Sequence, residues 1–196
     1  MFIISTPRLQ LIPLNSTQLW MFRSDPELSL ELLGIEPDML CTEDSMGNDI
    51  EGVLDFFEEQ LKDDPFNYPW HTTWHIVLKE ENKRIGRMGF GGIPHGEHGL
   101  SEVGYAIDAA YRNKGYMTEA LQAAMYWAFQ HIELQVLVAE TYANNEPSHK
   151  VLKKCGFGII DECNEAGNIL WGIRNGTEVK PVEVGVETHF EEMILA

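Results

Sequence analysis

The chain has 196 residues, 44% of them hydrophobic, which is enough to build the core of one domain of ordinary to large size. There are 14 Lys plus Arg against 31 Asp plus Glu, and the formal charge of -17 argues against nucleic acid or an anionic membrane as the main partner and in favour of a cationic one. Cys41, Cys155 and Cys163 form no CxxC pair and are odd in number, which argues against a disulfide scaffold or a zinc knuckle and points to a reducing cytoplasm. The opening MFIISTPRLQLIPL has no basic region ahead of a long apolar run, and no later window is apolar for long enough to cross a bilayer, so a soluble cytoplasmic protein is expected.

Residues 8–13 alternate apolar and polar and read as a first strand. Asn15, Ser16 and Thr17 offer N-caps for a short helix through Phe22, and Asp25-Pro26 repeats the signal for a second. Residues 36–64 hold eleven Asp or Glu and one cation, Lys62, with a helix expected over Ile50 to Lys62 because Val53, Leu54, Phe57 and Leu61 share a face. DDPFNYPW reads as a loop, and TTWHIVLK as the second strand. A turn at residues 80–83 leads to a third strand from Arg84 to Ile93, in which Gly86, Gly89, Gly91 and Gly92 suggest bulges or the close approach of another backbone.

The fourth strand is expected from Leu100 to Asp108. MTEALQAAMYWAFQ follows as an amphipathic helix with Met117, Leu121, Ala124, Met125 and Ala128 on one face. QVLVAET is the fifth strand, its near-continuous apolar run suiting the centre of a sheet. Asn145 caps EPSHKVLKKC, with Gly156 as the C′ residue, and residues 157–161 and 168–174 are two last strands. Residues 175–196 form an acidic tail in which Val182, Val184 and Val186 alternate as a candidate edge strand and a candidate homodimer contact. The order gives a mixed α/β fold with one layer of sheet and helices on its faces.

Chemistry concentrates in YRNKGYMTEA, residues 111–120. A helix N-terminus already carries partial positive charge, so Arg112 and Lys114 just before one are electrostatically misplaced unless an anion joins them. Gly115 permits a tight turn, and the N–H groups of Asn113, Lys114, Gly115, Tyr116, Met117 and Thr118 would converge on a phosphate or pyrophosphate. The plainer alternative is that both cations pair with surface acids. GxxxxGK[ST] is absent, and the glycines of GFGGIP do not separate a strand from a helix, so P-loop and Rossmann sites lack their setting. His95 and His98 in PHGEHG, on a Gly-rich turn without Cys, do not specify a metal site, and no metal is expected. His71 and His75 beside Trp74 read as packing or rim residues, and Cys155 as a small buried hydrophobe.

The stretches TPRLQLIPL, IGRMGFGG, EVGYAIDAAYRNKGYMTEA and NEPSHKVLKKCGF together resemble the GNAT acetyltransferase superfamily, in its RimJ/RimL-type branch that includes ribosomal-protein N-terminal acetyltransferases. The resemblance runs from Thr6 to Arg174 and implies one GNAT domain over 1–174, with a mostly antiparallel sheet whose fourth and fifth strands splay apart. It implies an acetyl-CoA-dependent N-acetyltransferase acting on a protein N-terminus or a small cationic amine. Loss of turnover would leave an acyl-CoA-binding sensor as the alternative. The family's Q/R-x-x-G-x-G/A signature falls on Arg112, Gly115 and Met117, where Met replaces the usual small residue. Ile107 and Ala109 are implied in binding pantetheine, residues 112–118 the pyrophosphate, and Asn145 of N-x-x-S the cofactor. A backbone N–H within Ala106 to Asp108 is implied as oxyanion donor. The tyrosine acid of many relatives is replaced by Leu152, which leaves Ser148 as the candidate acid. Glu102 is the favoured base, with Glu140, Asp161, Glu162 and Glu165 as rivals. His149, next to Ser148, is either a cofactor neighbour or a helix-surface residue. Phe66, Tyr68, Trp70 and Trp74, with the acidic segment, would line an acceptor pocket or belong to the core.

Overall fold

In the computed structural model, residues 1–36, 50–162, 167–178 and 182–188 are described. Cys41, Cys163 and Glu165 lie outside them, as does the stretch 37–49 of the acidic segment. In chain order the elements are β1 (Phe2–Ser5), β2 (Leu9–Pro13), α1 (Ser16–Ser24), α2 (Pro26–Leu32), α3 (Ile50–Asp63), β3 (Thr73–Leu78), β4 (Lys83–Phe90) and β5 (Leu100–Ile107). There follow α4 (Tyr116–Ala128), β6 (Val136–Tyr142), α5 (Glu146–Lys154), β7 (Gly158–Asp161), β8 (Asn168–Arg174) and β9 (Gly185–Thr188).

The nine strands form one sheet in the order β7-β8-β6-β5-β4-β3-β2-β1-β9, and every pairing is antiparallel except β5 with β6. This is the mixed α/β fold expected. The additional first strand, β1, shifts the predicted fourth and fifth strands to β5 and β6. Its FIIS run is short and shows no alternation, because Ile3 and Ile4 are both buried, on opposite faces. The structure pairs β1 on its far side with β9, a long-range contact that no local pattern announces.

Helices cover both faces. Leu9 and Leu11 of β2 and Trp74, Ile76 and Leu78 of β3 pack with Leu121, Ala124 and Met125 of α4 and with Leu152 of α5. On the opposite face Ile12 and Val77 meet Leu30 of α2, while Leu19 and Phe22 of α1 pack on Leu54, Phe57 and Leu61 of α3. All six residues of β3 are buried, as a strand covered on both sides requires. Capping fixes the helices locally: Asn15 and Gln18 form a capping box, and the Asp25 side chain caps Pro26–Leu32.

Two predicted boundaries move. Pro65–Trp70, read as a loop, winds into 3₁₀ turns, with the Asp64 side chain accepting from the Asn67 N–H. The third predicted strand, β4, ends at Phe90 instead of Ile93 and bulges at Ile85, since Ile76 pairs with Gly86 and Val77 with Arg84. Close backbone approach explains two of its glycines: a Cβ at Gly86 would stand 2.5 Å from the Ala106 carbonyl oxygen, and one at Gly89 2.7 Å from that of Thr72.

Candidate active site

The parallel ladder of β5 and β6 has three rungs, Leu100 with Val136, Ser101 with Leu137 and Glu102 with Val138. Beyond them the strands part, because β5 continues along β4 to Ile107 while β6 continues along β8 to Tyr142. Gly91 donates to the Glu102 carbonyl at 2.9 Å and Asp108 to the Ile85 carbonyl at 2.9 Å, so the even residues of β5 bond to β4. By the alternation of an antiparallel ladder, the backbone groups of Val103, Tyr105 and Ile107 face the gap instead. Within the stretch Ala106 to Asp108, this leaves the Ile107 N–H as the donor available to an oxyanion.

A cleft of about 740 Å3 occupies the gap. Glu102, Ile107, Arg112, Asn113, Gly115, Tyr116, Met117, Thr118, Asn145 and Ser148 all line it. Ala109 and Lys114 do not: Ala109 starts an exposed 3₁₀ turn, and the Lys114 ammonium lies 5.3 Å from the centre of the Tyr111 ring. Both predicted α-helices beside the gap begin at its rim. The loop into α4 has Asn113 at φ 62° and Gly115 at φ 82°, left-handed conformations that aim successive N–H groups inward as an anion nest. The Arg112 Nε donates back to the Ile107 carbonyl at 3.1 Å, which ties the loop to the end of β5.

A second tie was not legible in the sequence. Arg8, between β1 and β2, donates from Nε to Glu119 at 2.7 Å and from Nη1 to the Lys114 carbonyl at 3.1 Å, and its guanidinium lies 4.5 Å from the centre of the Tyr116 ring. The Thr6 hydroxyl and the Arg8 N–H complete the coordination of Glu119, at 2.7 and 3.0 Å. TPRL and GYMTEA are therefore two ends of one strut across the mouth of the nest. Arg8 also neutralises a carboxylate in the first turn of α4 that would otherwise oppose an anion there.

Met117 is 5% exposed and belongs to the core under α4, so its larger side chain is absorbed away from the loop and the position contributes its backbone. The Asn145 side chain accepts from the Ser148 N–H at 3.2 Å as the N-cap of α5. Leu152 is fully buried, and no acid stands at that turn. Tyr105, which no motif in the sequence marks, reaches across the gap from β5, and its hydroxyl donates to the Ser148 carbonyl at 3.4 Å. Burial raises its pKa, which keeps the phenol protonated.

Glu102 and Glu140 stand on the strand pair near the closed end of the gap, and both line the cleft. Partial enclosure, then the Glu140 carboxylate, raises the pKa of Glu102. Glu140 itself accepts from the Asn168 amide at 2.6 Å. Asp161 and Glu162 are exposed and outside the cleft. His149 is buried against Trp171, its Nε2 3.2 Å from the Tyr142 carbonyl oxygen, so it is no helix-surface residue, and it does not line the cleft.

The four aromatics do not gather into one pocket. Trp70 and Trp74 pack with Phe2, Phe90 and Trp127 in the core beneath α4, whereas Phe66 is 93% exposed and Tyr68 sits against the α1–α3 cluster. Alternation along β3 decides this, since it sends Trp74 to the face opposite α3. Cys155 is buried, and burial pushes its thiol up to about 12. Among the described residues no three His, Cys, Asp or Glu side chains cluster as a metal site, and no helix is long and apolar enough to cross a membrane.

The model of the acetyltransferase (GNAT) domain family matches residues 8–158. The chain belongs to this family. Among curated relatives, the GNAT chain is 34% identical over 99 residues to the uncharacterized N-acetyltransferase YnaD of Bacillus subtilis (strain 168), covering 49% of this chain and 57% of that one. It is 36% identical over 85 residues to YjdG of the same organism, covering 43% and 50%. The chain thus spans about half the length of the curated relatives it matches. The fold is shared with the ribosomal-protein-S5-alanine acetyltransferase of Vibrio fischeri, at 22% identity and TM-score 0.59 over 91% of this chain and 99% of that one. Mycobacterium smegmatis RimJ, solved with CoA-disulfide, superposes with TM-score 0.56 at 19% identity, covering 89% and 87%.

Proposed function

We propose that this GNAT chain is an acetyl-CoA-dependent N-acetyltransferase that transfers the acetyl group to a primary amine, with the α-amine of a protein N-terminus as the favoured acceptor. The observation that supports the reading is the gap between β5 and β6, which opens beyond the Glu102–Val138 rung and leads to the anion nest, with the raised carboxylate of Glu102 at its closed end. Two solved structures of the same fold bear on the acceptor: the acetyltransferase of Salmonella typhimurium that modifies the N-terminal serine of ribosomal protein L7/L12, and the Vibrio fischeri one named above.

The residues fit acetyl-CoA. Gly115 and Asn113 shape a nest for its pyrophosphate, Arg112 adds positive charge, and the edge of β5 at Tyr105 and Ile107, beyond the last rung to β6, offers peptide groups for the pantetheine amides. Bound acetyl-CoA supplies an electrophilic thioester carbonyl and a thiolate leaving group. Glu102 takes the proton from the incoming ammonium, directly or through water, and its raised pKa makes it a stronger base than an ordinary carboxylate. The Ser148 hydroxyl at the start of α5, across the gap from Tyr105, serves the departing sulfur. The acidic balance of the chain favours approach of a cationic acceptor.

The test is thiol release from acetyl-CoA in the presence of ribosomal N-terminal peptides, polyamines and aminoglycosides. Release with the peptides is expected, and Glu102→Gln should lower kcat/KM by about 10²-fold and abolish the acid limb of its pH profile. Binding of CoA without thiol release from any amine would replace this reading with the acyl-CoA sensor, which the burial of Leu152 at the usual acid position would then explain.

A further inference from the structure

Resting on the acetyl-CoA reading, we propose that Gly91, Gly104 and His71 form an acceptor subsite beside Glu102 that binds the first peptide group of a polypeptide N-terminus. Gly104 pairs with Gly89 across β5 and β4, and two residues along the same strands the Gly91 N–H donates to the Glu102 carbonyl at 2.9 Å. A Cβ on Gly91 would stand 3.3 Å from that of Glu102, so these four residues share one face of the sheet, and Glu102 is the one with a side chain. Glycine inside a strand weakens it and marks the close approach of another backbone. For Gly89 that backbone is at hand, the Thr72 carbonyl oxygen 2.7 Å from where its Cβ would be. Gly91 and Gly104 are exposed instead: within 4 Å a Cβ on Gly91 would meet Glu102 alone, and one on Gly104 would meet nothing. No described residue supplies the approaching backbone at these two positions, which leaves the floor to a ligand.

His71 indicates the chemistry of that ligand. It is 6% exposed, and neither ring nitrogen has a hydrogen-bond partner. The Asp64 carboxylate lies 3.9 Å from its Nε2, beyond hydrogen-bond distance. A buried polar group left in this state costs about 1–3 kcal/mol, which a bound partner would recover. The other edge of the ring is turned to the end of the floor, since a Cβ on Gly92 would lie 3.8 Å from Nδ1 and 3.7 Å from Cε1. Because Gly92 has no side chain, the imidazole has room to turn towards Gly91. Burial holds its pKa below the usual histidine value, so the neutral ring offers one donor and one acceptor nitrogen. A peptide group is the matching partner: it too has one donor and one acceptor, it lies flat on a surface without side chains, and it follows an α-amine by one residue. With the amine at Glu102, the first peptide group then falls on the glycine floor beside His71. A small amine without a peptide group engages Glu102 and leaves His71 unpartnered.

Calorimetric titration of a short ribosomal N-terminal peptide into the CoA-saturated full chain tests the subsite without turnover. His71→Phe keeps a ring and removes both nitrogens, so the peptide Kd is expected to rise about tenfold (~1.4 kcal/mol), and the peptide KM with it at constant kcat. His71→Asn, which restores a donor and an acceptor, should recover most of the loss, and Gly91→Ala should weaken the peptide by about tenfold as well. The Kd for CoA should be the same in all three variants, and the Tm of His71→Phe should not fall, because that variant buries no unpartnered nitrogen. An unchanged peptide Kd in His71→Phe would overturn the subsite, as would an equal loss of CoA affinity or a His71→Asn variant that recovers nothing. Peptide binding that follows these expectations without thiol release would keep the subsite and remove the transferase reading. Thiol release from polyamines by a protein that binds no peptide would do the reverse.

Discussion

Gly104→Ala should make the protein more stable and a poorer enzyme at the same time. Gly104 lies on β5 between Glu102 and Ala106 and shares their face, opposite that of Val103 and Tyr105. A Cβ there would meet no atom within 4 Å, and its φ is not in the left-handed region. The methyl therefore enters open space without strain, and loss of unfolded-chain entropy should stabilise the fold by about 0.4–1 kcal/mol, or roughly 1–4 °C in Tm for a chain of this size. The space it fills is part of the cleft beside the proposed base, where the acceptor amine must pass. Crowding there should raise the acceptor KM about tenfold, ~1.4 kcal/mol, with the Kd for CoA unchanged. Gly86→Ala is the contrasting control, because its Cβ would collide with the Ala106 carbonyl and Ile107 Cα at 2.5 and 3.1 Å, both backbone, and should cost about 1–3 kcal/mol. Thermal melts, calorimetry with CoA and thiol-release kinetics with the best peptide measure all three quantities. A Gly104→Ala Tm lowered as far as that of Gly86→Ala, or an unchanged acceptor KM, would refute the placement of the acceptor on this face.

Arg8→Ala should loosen the nest from a distance in sequence: CoA affinity is expected to fall about tenfold, and an Arg8→Glu/Glu119→Arg pair should recover part of that loss, whereas a merely structural ion pair would lower Tm and leave the Kd alone. Acid should destabilise the fold through His75, which is fully buried against Phe22 with both ring nitrogens unpartnered. Burial, followed by the nearby Arg84 and Arg87, holds its pKa well below the usual value, so the unfolded chain binds a proton that the folded one does not. Stability should then fall as pH drops below about 6.5, by up to ~1.4 kcal/mol per pH unit, with His71, lowered chiefly by burial, acting in the same direction. Urea midpoints between pH 7 and pH 5 would show this slope, and a His75→Leu variant should flatten it; an unaltered slope would assign the acid sensitivity to other groups.

Much was legible in the chain itself, for reasons that are local. The helices from Asn15 to the end of α2, α4 with its buried Met117 and Leu121, and α5 between Asn145 and Gly156 follow from caps and 3.6-residue periodicity, which few neighbouring residues suffice to define. The turn at Gly115 was legible because a left-handed backbone before a helix leaves glycine as the residue without a steric cost. Cations at that turn, in so acidic a chain, already asked for an anion.

Tertiary structure alone decided what acts on that turn and what shares its cleft. Strand pairing brings Arg8 to Glu119 across 111 positions, joins β1 to β9, and sets which edge of β5 is left unpaired. A residue's type fixes its chemistry, but its partners depend on which strand lies next to which, and that order is settled by the burial of whole faces. So Trp74 and His149 became core, Tyr105 entered the cleft, and Ala109 fell outside it.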